Sequence, residues 1–263
     1  GITSSFLIYS FFTKFLKYKN ISIRLPNRFE EWYGMRKTHI DEINDLWVKL
    51  IITVDNGITA VNEIDYANSL GIDIIVTDHH KPLEKIPQAF GLIDPHASEL
   101  YGFKYLAWVW VAFKFITAVS SAFSFDDKTK KLVMDYYLPV VAIWTVADCV
   151  PLVNENRLFV KKWLELLNWK KNLPKSISNL IDYLNIKTKI TSFHIWFMIA
   201  PRLNASWRLV DPYQSLNCLL FSDSDKQSCH LKKMEELNTQ RRKLQEEIGR
   251  AHVWIPVTIR SRM

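Results

Sequence analysis

Between residues 49 and 93 the chain alternates short β-branched apolar runs with amphipathic stretches, and this alternation constrains the fold more than any other feature. Lys49–Val54, Ile72–Thr77 and Phe90–Ile93 read as strands, with Thr38–Leu46 and Thr59–Leu70 as helices around them. Strands this continuously apolar are covered on both faces, which implies βαβ units and a parallel sheet. Upstream, Ser4–Lys17 reads as a helix with Thr3 or Ser4 as its N-cap, and Ile21–Leu25 alternates like a further strand. From about residue 105 the chain turns mainly helical. Residues 138–147 suit a buried helix or a strand, because periodicity does not separate the two. Ser224–Ile248 is long and charged, with Leu231, Met234, Leu237, Leu244 and Ile248 on one side. The expected architecture is therefore α/β: a parallel sheet flanked by helices, then a mainly helical part and a long helix. That helix reads either as packed with a solvated face or as a connection to a neighbouring domain.

Composition removes several alternatives. A hydrophobic content of 48% with 23% charged residues excludes disordered and collagen-like chains. No apolar run reaches the roughly 18 residues needed to span a bilayer, so no membrane partner is expected. The first basic residue, Lys14, follows the opening apolar stretch instead of preceding it, unlike a secretory leader. Cys149, Cys218 and Cys229 form no CxxC and cannot all pair, which fits a reducing, cytoplasmic setting. The net charge of +7 permits nucleic-acid binding without establishing it.

Three short stretches carry chemistry. Val54-Asp55-Asn56-Gly57 ends an apolar strand in a carboxylate and a turn glycine. Thr77-Asp78-His79-His80 ends another in an acid and two imidazoles, and Val146-Ala147-Asp148 closes an apolar run with an acid. Ligands of open α/β sheets bind at the carboxyl ends of parallel strands, so Asp55 and Asp78–His80 should converge. Carboxylates with imidazole suit Mn²⁺, Mg²⁺ or Zn²⁺. Two such ions about 3.5–4 Å apart would clamp the attacking and leaving oxygens of a phosphoryl transfer. His39, His96, His194 and His230 lack comparable context and read as ordinary surface or core residues.

"TDHH" downstream of "IITVDNG" resembles the DHH phosphoesterases, and the wider text resembles their RecJ branch of single-strand-specific 5′→3′ exonucleases. "PNRFEEWYG" (26–34), "LAWVWVAFK" (106–114), "WTVADCVPL" (144–152), "ENRLFVKKWLELLN" (155–168) and "APRLNASWRL" (200–209) resemble family blocks in order. The resemblance runs from residue 1 to about 247. It implies a site with two Mn²⁺ or Mg²⁺ ions, Asp55 bridging them and His79 and Asp148 as further ligands. It implies His80 against the scissile phosphate, with Asp78 orienting the histidines. Arg202, Asn204 and Arg208 would contact the nucleic-acid backbone, a role that suits a planar guanidinium. Single-stranded nucleic acid is the implied partner, with replication or repair proteins beside it and a monomer as the favoured state. The rival activities are a phosphodiesterase for short oligonucleotides or dinucleotides and a catalytically dead replication scaffold.

The resemblance also sets expectations about the ends. The family's first motif is a strand closing in aspartates, and this chain opens at that motif's glycine, Gly1-Ile2-Thr3-Ser4. The expected organisation is a DHH catalytic domain over 1–223, cut at its N-terminus, and the start of an inter-domain helix over 224–247. Residues 248–263 form a non-native tail that resembles the conceptual translation of a sequencing adapter. On this reading the chain as written is inactive or nearly so. Without Arg250, Arg260 and Arg262 the net charge falls from +7 to +4.

Ten tryptophans stand beside only seven glycines. Trp32, Trp47, Trp108, Trp110, Trp144, Trp163, Trp196 and Trp207 fall where the family carries glycine, while Trp169 has no clear counterpart. Overpacking costs on the order of 1–3 kcal/mol per site, so eight such changes should not leave a folded domain. Together the two counts approach the roughly 18 glycines expected at this length. The economical reading is a UGA codon that specifies glycine and is rendered as tryptophan. The coding sequence is expected to read TGA at positions 108 and 110; TGG at both would refute this.

Overall fold

The computed structural model describes residues 1–26, 34–169, 173–209, 211–221 and 223–253. Trp32 and Trp254 lie outside the described residues, as do the side chains of Trp169, Trp207 and Arg208. The first half builds a parallel sheet ordered β1 (Leu50–Val54), β2 (Asp73–Thr77), β3 (Gly91–Ile93). Leu50 pairs with Asp73 and Val54 with Thr77, while Ile75 pairs with Gly91 and Thr77 with Ile93. The C-terminal ends of all three strands thus finish level.

Both faces are covered, as the apolar runs require. On one face Ile72, Ile74 and Val76 pack with Ile40 of α2 (Lys37–Asp45) and with Ile64 and Ala67 of α3 (Val61–Ser69). On the other, Ile52, Val54, Ile75 and Ile93 meet Ile8 of α1 (Ile2–Lys14) and Ala112 and Phe115 of α4 (Trp108–Ala122). Helix α1 starts at Gly1 with no side-chain cap, and Thr3 and Ser4, expected as caps, are buried within it.

The helical half continues with α5 (Asp127–Ala147), α6 (Asn154–Trp169) and α7 (Lys175–Tyr183). A rod follows, made of α8 (Ser192–His194), a π turn over Ile195–Ile199 and α9 (Ala200–Leu209). Helices α10 (Pro212–Leu220) and α11 (Ser224–Val253) complete the order. Residues 138–147 are helical; Leu138–Val146 are all buried, which erases the amphipathic period that marks a surface helix. Ile21–Leu25 is a correction: it belongs to no strand. Its backbone is satisfied by a side chain, since the Leu25 N–H donates to the Tyr213 hydroxyl (3.0 Å), which donates to the Ile23 carbonyl (3.1 Å). Helix α11 runs past the boundary expected at 247, to Val253. No helix among the described residues is long and apolar enough to cross a membrane. All three cysteines are free thiols.

The tryptophans divide into two groups. Trp108, Trp110, Trp144 and Trp163 lie in the main core, with the Trp108 and Trp144 rings 5.9 Å apart and Trp110 4.3 Å from Phe159. The core therefore accommodates four indoles that the sequence suggested would prevent packing. It does so with the indole N–H groups of Trp110, Trp144 and Trp163 buried and unpartnered, a cost of about 1–3 kcal/mol each. Trp47 and Trp196 are exposed. Trp47 follows the end of α2 with φ 59°, the left-handed C′ position where helices favour glycine. Trp47→Gly is therefore expected to raise stability by about 1 kcal/mol, read as a higher urea midpoint; an unchanged or lower midpoint would refute it.

Candidate metal and phosphate site

Each strand ends in an acid, and the three ends form one rim. After β1, Asp55 takes left-handed backbone, φ 59°. Its N–H still bonds the Thr77 carbonyl (2.9 Å), so the bend occurs where pairing stops. Gly57 follows with φ 115°, and a Cβ there would stand 2.7 Å from Thr53 Oγ1. Only glycine fits this turn.

At the end of β2, Asp78 is almost wholly buried and acts as an organiser. Its Oδ2 accepts the Ile58 N–H (3.0 Å). Its Oδ1 accepts the His79 N–H (2.8 Å) and the His80 Nδ1–H (2.7 Å). Burial alone would raise its carboxyl, but the His80 ring and the Ile58 and His79 N–H groups outweigh burial and hold it below the ordinary value. The structure thus places Asp78, expected to orient the histidines, in contact with the His79 N–H and the His80 ring. His80, bonded through Nδ1, turns Nε2 outward, and the Asp78 hydrogen bond lifts its pKa above the usual imidazole value against the effect of burial.

His79 Nδ1 lies 3.2 Å from the Leu106 carbonyl oxygen. A carbonyl only accepts, so Nδ1 carries a proton, and the other ring nitrogen, Nε2, faces Asp55. That Nε2 stands 3.3 Å from Asp55 Oδ1. Asp148, at the C-cap of α5, reaches the opposite ring edge, with Oδ2 4.0 Å from Nδ1. The N-terminal end of α4 faces it, where the Trp108 N–H donates to the Asp148 carboxylate. Burial, reinforced by the Asp55 charge, pushes Asp148 up despite His79. At Asp55 burial pulls upward too and the His79 ring pulls downward, while the Gly1 nitrogen lies 2.5 Å from Oδ2. For His79, burial is outweighed by Asp55 and Asp148, and the ring titrates above its ordinary value.

The residues fit a divalent cation on two observations. Asp55, His79 and His80 each offer a ligating atom, all within 4.8 Å of one another. Asp148 Oδ2 is buried without a hydrogen-bond partner, which suits an oxygen meant for a cation. All of them open on one cleft of about 1090 Å³, which Asn204 also lines.

The other expected residues fare differently. Arg202 is held within the chain: Nε and Nη2 (3.1 Å) bond the Glu235 carboxylate of α11, and Nη1 bonds the Met198 carbonyl (2.8 Å). Arg208 lies outside the described side chains. His39 is buried. His194 closes a capping box with Thr191, and His230 bonds Gln214 (2.9 Å). Sequence reasoning missed Asp94, a third strand-end acid after β3 and visible by the same rule. It accepts the His96 (2.6 Å) and Ala97 (3.2 Å) N–H groups, and burial raises its pKa to about 6.

Fold and site together define an α/β protein with carboxylates and paired histidines gathered at strand carboxyl ends. The DHH family, N-terminal domain, matches residues 1–143, and the chain belongs to this family. The single-stranded-DNA-specific exonuclease RecJ of Escherichia coli (strain K12) is 32% identical over 234 residues, 86% of this chain and 40% of that protein. The RecJ exonuclease of Bacillus subtilis (strain 168) is 34% identical over 230 residues, 85% of this chain and 27% of that protein. The chain thus spans less than half the length of either relative. A crystal structure of exonuclease RecJ bound to manganese superposes with a TM-score of 0.84 at 26% identity, over 95% of this chain and 61% of that one. RecJ of Thermus thermophilus in complex with Mn²⁺ gives 0.81 at 24% identity, over 95% of this chain and 35% of that one, a likeness of fold.

Were His79 to ligate a cation, as its placement allows, it would do so as the neutral ring. Because Asp55 and Asp148 raise its pKa, protons compete with the cation to a higher pH than for a free imidazole. Mn²⁺ affinity should therefore climb with pH above the ordinary value of about 6.5, with proton release on binding. Calorimetry in buffers of different ionisation enthalpy measures this; an affinity flat between about pH 6 and 8 would refute it.

Proposed function

We propose that this chain is the catalytic part of a single-strand-specific 5′→3′ DNA exonuclease that hydrolyses phosphodiester bonds at a divalent-metal site. The observation that carries the proposal is the cluster of Asp55, His79 and His80 at the strand ends, in a chain 32% identical to a single-stranded-DNA-specific exonuclease. Asp55 and His79 would hold the cations, with Asp148 as a further ligand. Divalent cations there supply charge neutralisation at the phosphate and an acidic, easily deprotonated water.

The chain's own groups do the rest. His80 offers its Nε2–H to a phosphate oxygen, and Asp78 keeps the ring turned that way. The N-terminal ends of α1 and α4, at Gly1 and Trp108, place positive helix poles beside the anionic site. Asn204 contacts the strand in the cleft. Arg202 reaches a phosphate by exchanging it for Glu235, and Arg208 has the same role by resemblance. Gly1 abuts Asp55, so residues upstream of it would enter the site, where the family places its first aspartates. The protein acts as a cytoplasmic monomer alongside replication or repair proteins.

The test compares this chain with one extended upstream of Gly1 by a segment carrying the aspartate motif, using Mn²⁺ and 5′-phosphorylated oligonucleotides. The extended chain should shorten single strands from the 5′ end and spare duplexes. His79→Ala should slow it at least about 100-fold, the loss typical of removing a catalytic group. Equal digestion of duplex, or a preference for dinucleotides, would overturn the proposal in favour of the short-substrate phosphodiesterase. Absence of Mn²⁺ binding would favour the scaffold.

A further inference from the structure

Asn156 lies in the first turn of α6, fully buried and eight residues after Asp148. An asparagine at a helix start usually accepts backbone N–H groups through its side-chain oxygen. Here the oxygen accepts nothing, although it is buried. The amide nitrogen instead donates twice, to the Tyr105 carbonyl (2.6 Å) and to the Pro151 carbonyl (3.0 Å). Both acceptors are oxygens, so the orientation of the amide is fixed by its partners.

These carbonyls belong to the two loops that frame the site. Tyr105 directly precedes Leu106, whose carbonyl takes the Nδ1 proton of His79. Pro151 lies three residues after Asp148, beyond a turn in which Cys149 has φ 59°. The neighbouring Glu155 holds the first loop at a second point, accepting the Tyr101 hydroxyl (3.0 Å) and pairing with Lys114 (3.4 Å). One amide thus ties the backbone that holds the His79 ring to the backbone that follows Asp148.

We infer that Asn156 is a positioning residue of the metal site, fixing the Leu106 carbonyl and hence the orientation of the His79 ring. The inference rests on the reading of the strand-end cluster as a metal centre. With the ring held through Nδ1, Nε2 faces Asp55, where a cation would bind between them. Groups that orient a ligating histidine typically change metal affinity 10–100-fold when removed.

Asn156→Asp keeps the shape and removes both donors. In the metal-free protein, ¹⁵N spectra should show the His79 Nδ1–H held in a hydrogen bond in the native chain and released from it in the variant. Mn²⁺ affinity, followed by electron paramagnetic resonance, should fall by at least about tenfold. An unchanged His79 pattern with Mn²⁺ affinity within about twofold of the native chain would overturn the inference, whatever the loss in melting temperature. If Asn156→Asp does not fold, Asn156→Ser, which retains one donor, is read by the same two criteria. Should the native chain bind no Mn²⁺, the metal reading fails, and the His79 Nδ1–H measurement still decides the part played by Asn156.

Discussion

The carboxylate of Asp78 sits almost out of reach of solvent and is ionised. A buried charge of this kind survives only where hydrogen bonds replace the lost water. Ile58 supplies one from the turn after β1, and His79 and His80 supply three from the turn after β2. The turn carrying Asp55 and the turn carrying the histidines are therefore locked to a single group. The register of the parallel sheet brings that group level with both turns. The outward Nε2 of His80 and the close approach of His79 to Asp55 follow from this anchoring. Loss of the Asp78 side chain would leave buried donors without partners on two strands at once.

Much of this was legible in the residues. Strand–helix alternation indicates a parallel sheet, and the carboxyl-end rule then places Asp55 and the Asp78–His80 run together before any coordinates are known. Asp94 obeys the same rule and was readable too. The Leu106 carbonyl was not, because a backbone acceptor leaves no trace in residue type. Asn156 was hidden for a related reason: its partners are also backbone carbonyls, in loops 51 and 5 residues away. Arg202 shows the converse. Its chemistry suits a phosphate, yet whether a guanidinium is taken by an acid depends on how α9 packs on α11, which local sequence does not specify. Ile21–Leu25 alternates like a strand, but a tyrosine hydroxyl from α10 does the work of a sheet neighbour.

The tryptophans separate two meanings of misfit. At 108, 110, 144 and 163 the rings find apolar company, and the difficulty lies in the polar N–H, which at three of them has nothing to bond. At 47 the ring is in water and the difficulty lies in the backbone, which turns left-handed where a side chain is disfavoured. The first kind is a problem of satisfaction and the second of conformation. Glycine would remove both, which is why one decoding explanation covers positions with such different surroundings.

The Arg202–Glu235 pair has a mechanical implication. Helix α11 covers 30 residues, a rigid rod of about 45 Å. Near its middle it grips α9, the helix that carries Asn204 into the cleft. The pair therefore fixes the side of the cleft that Asn204 lines to the middle of α11.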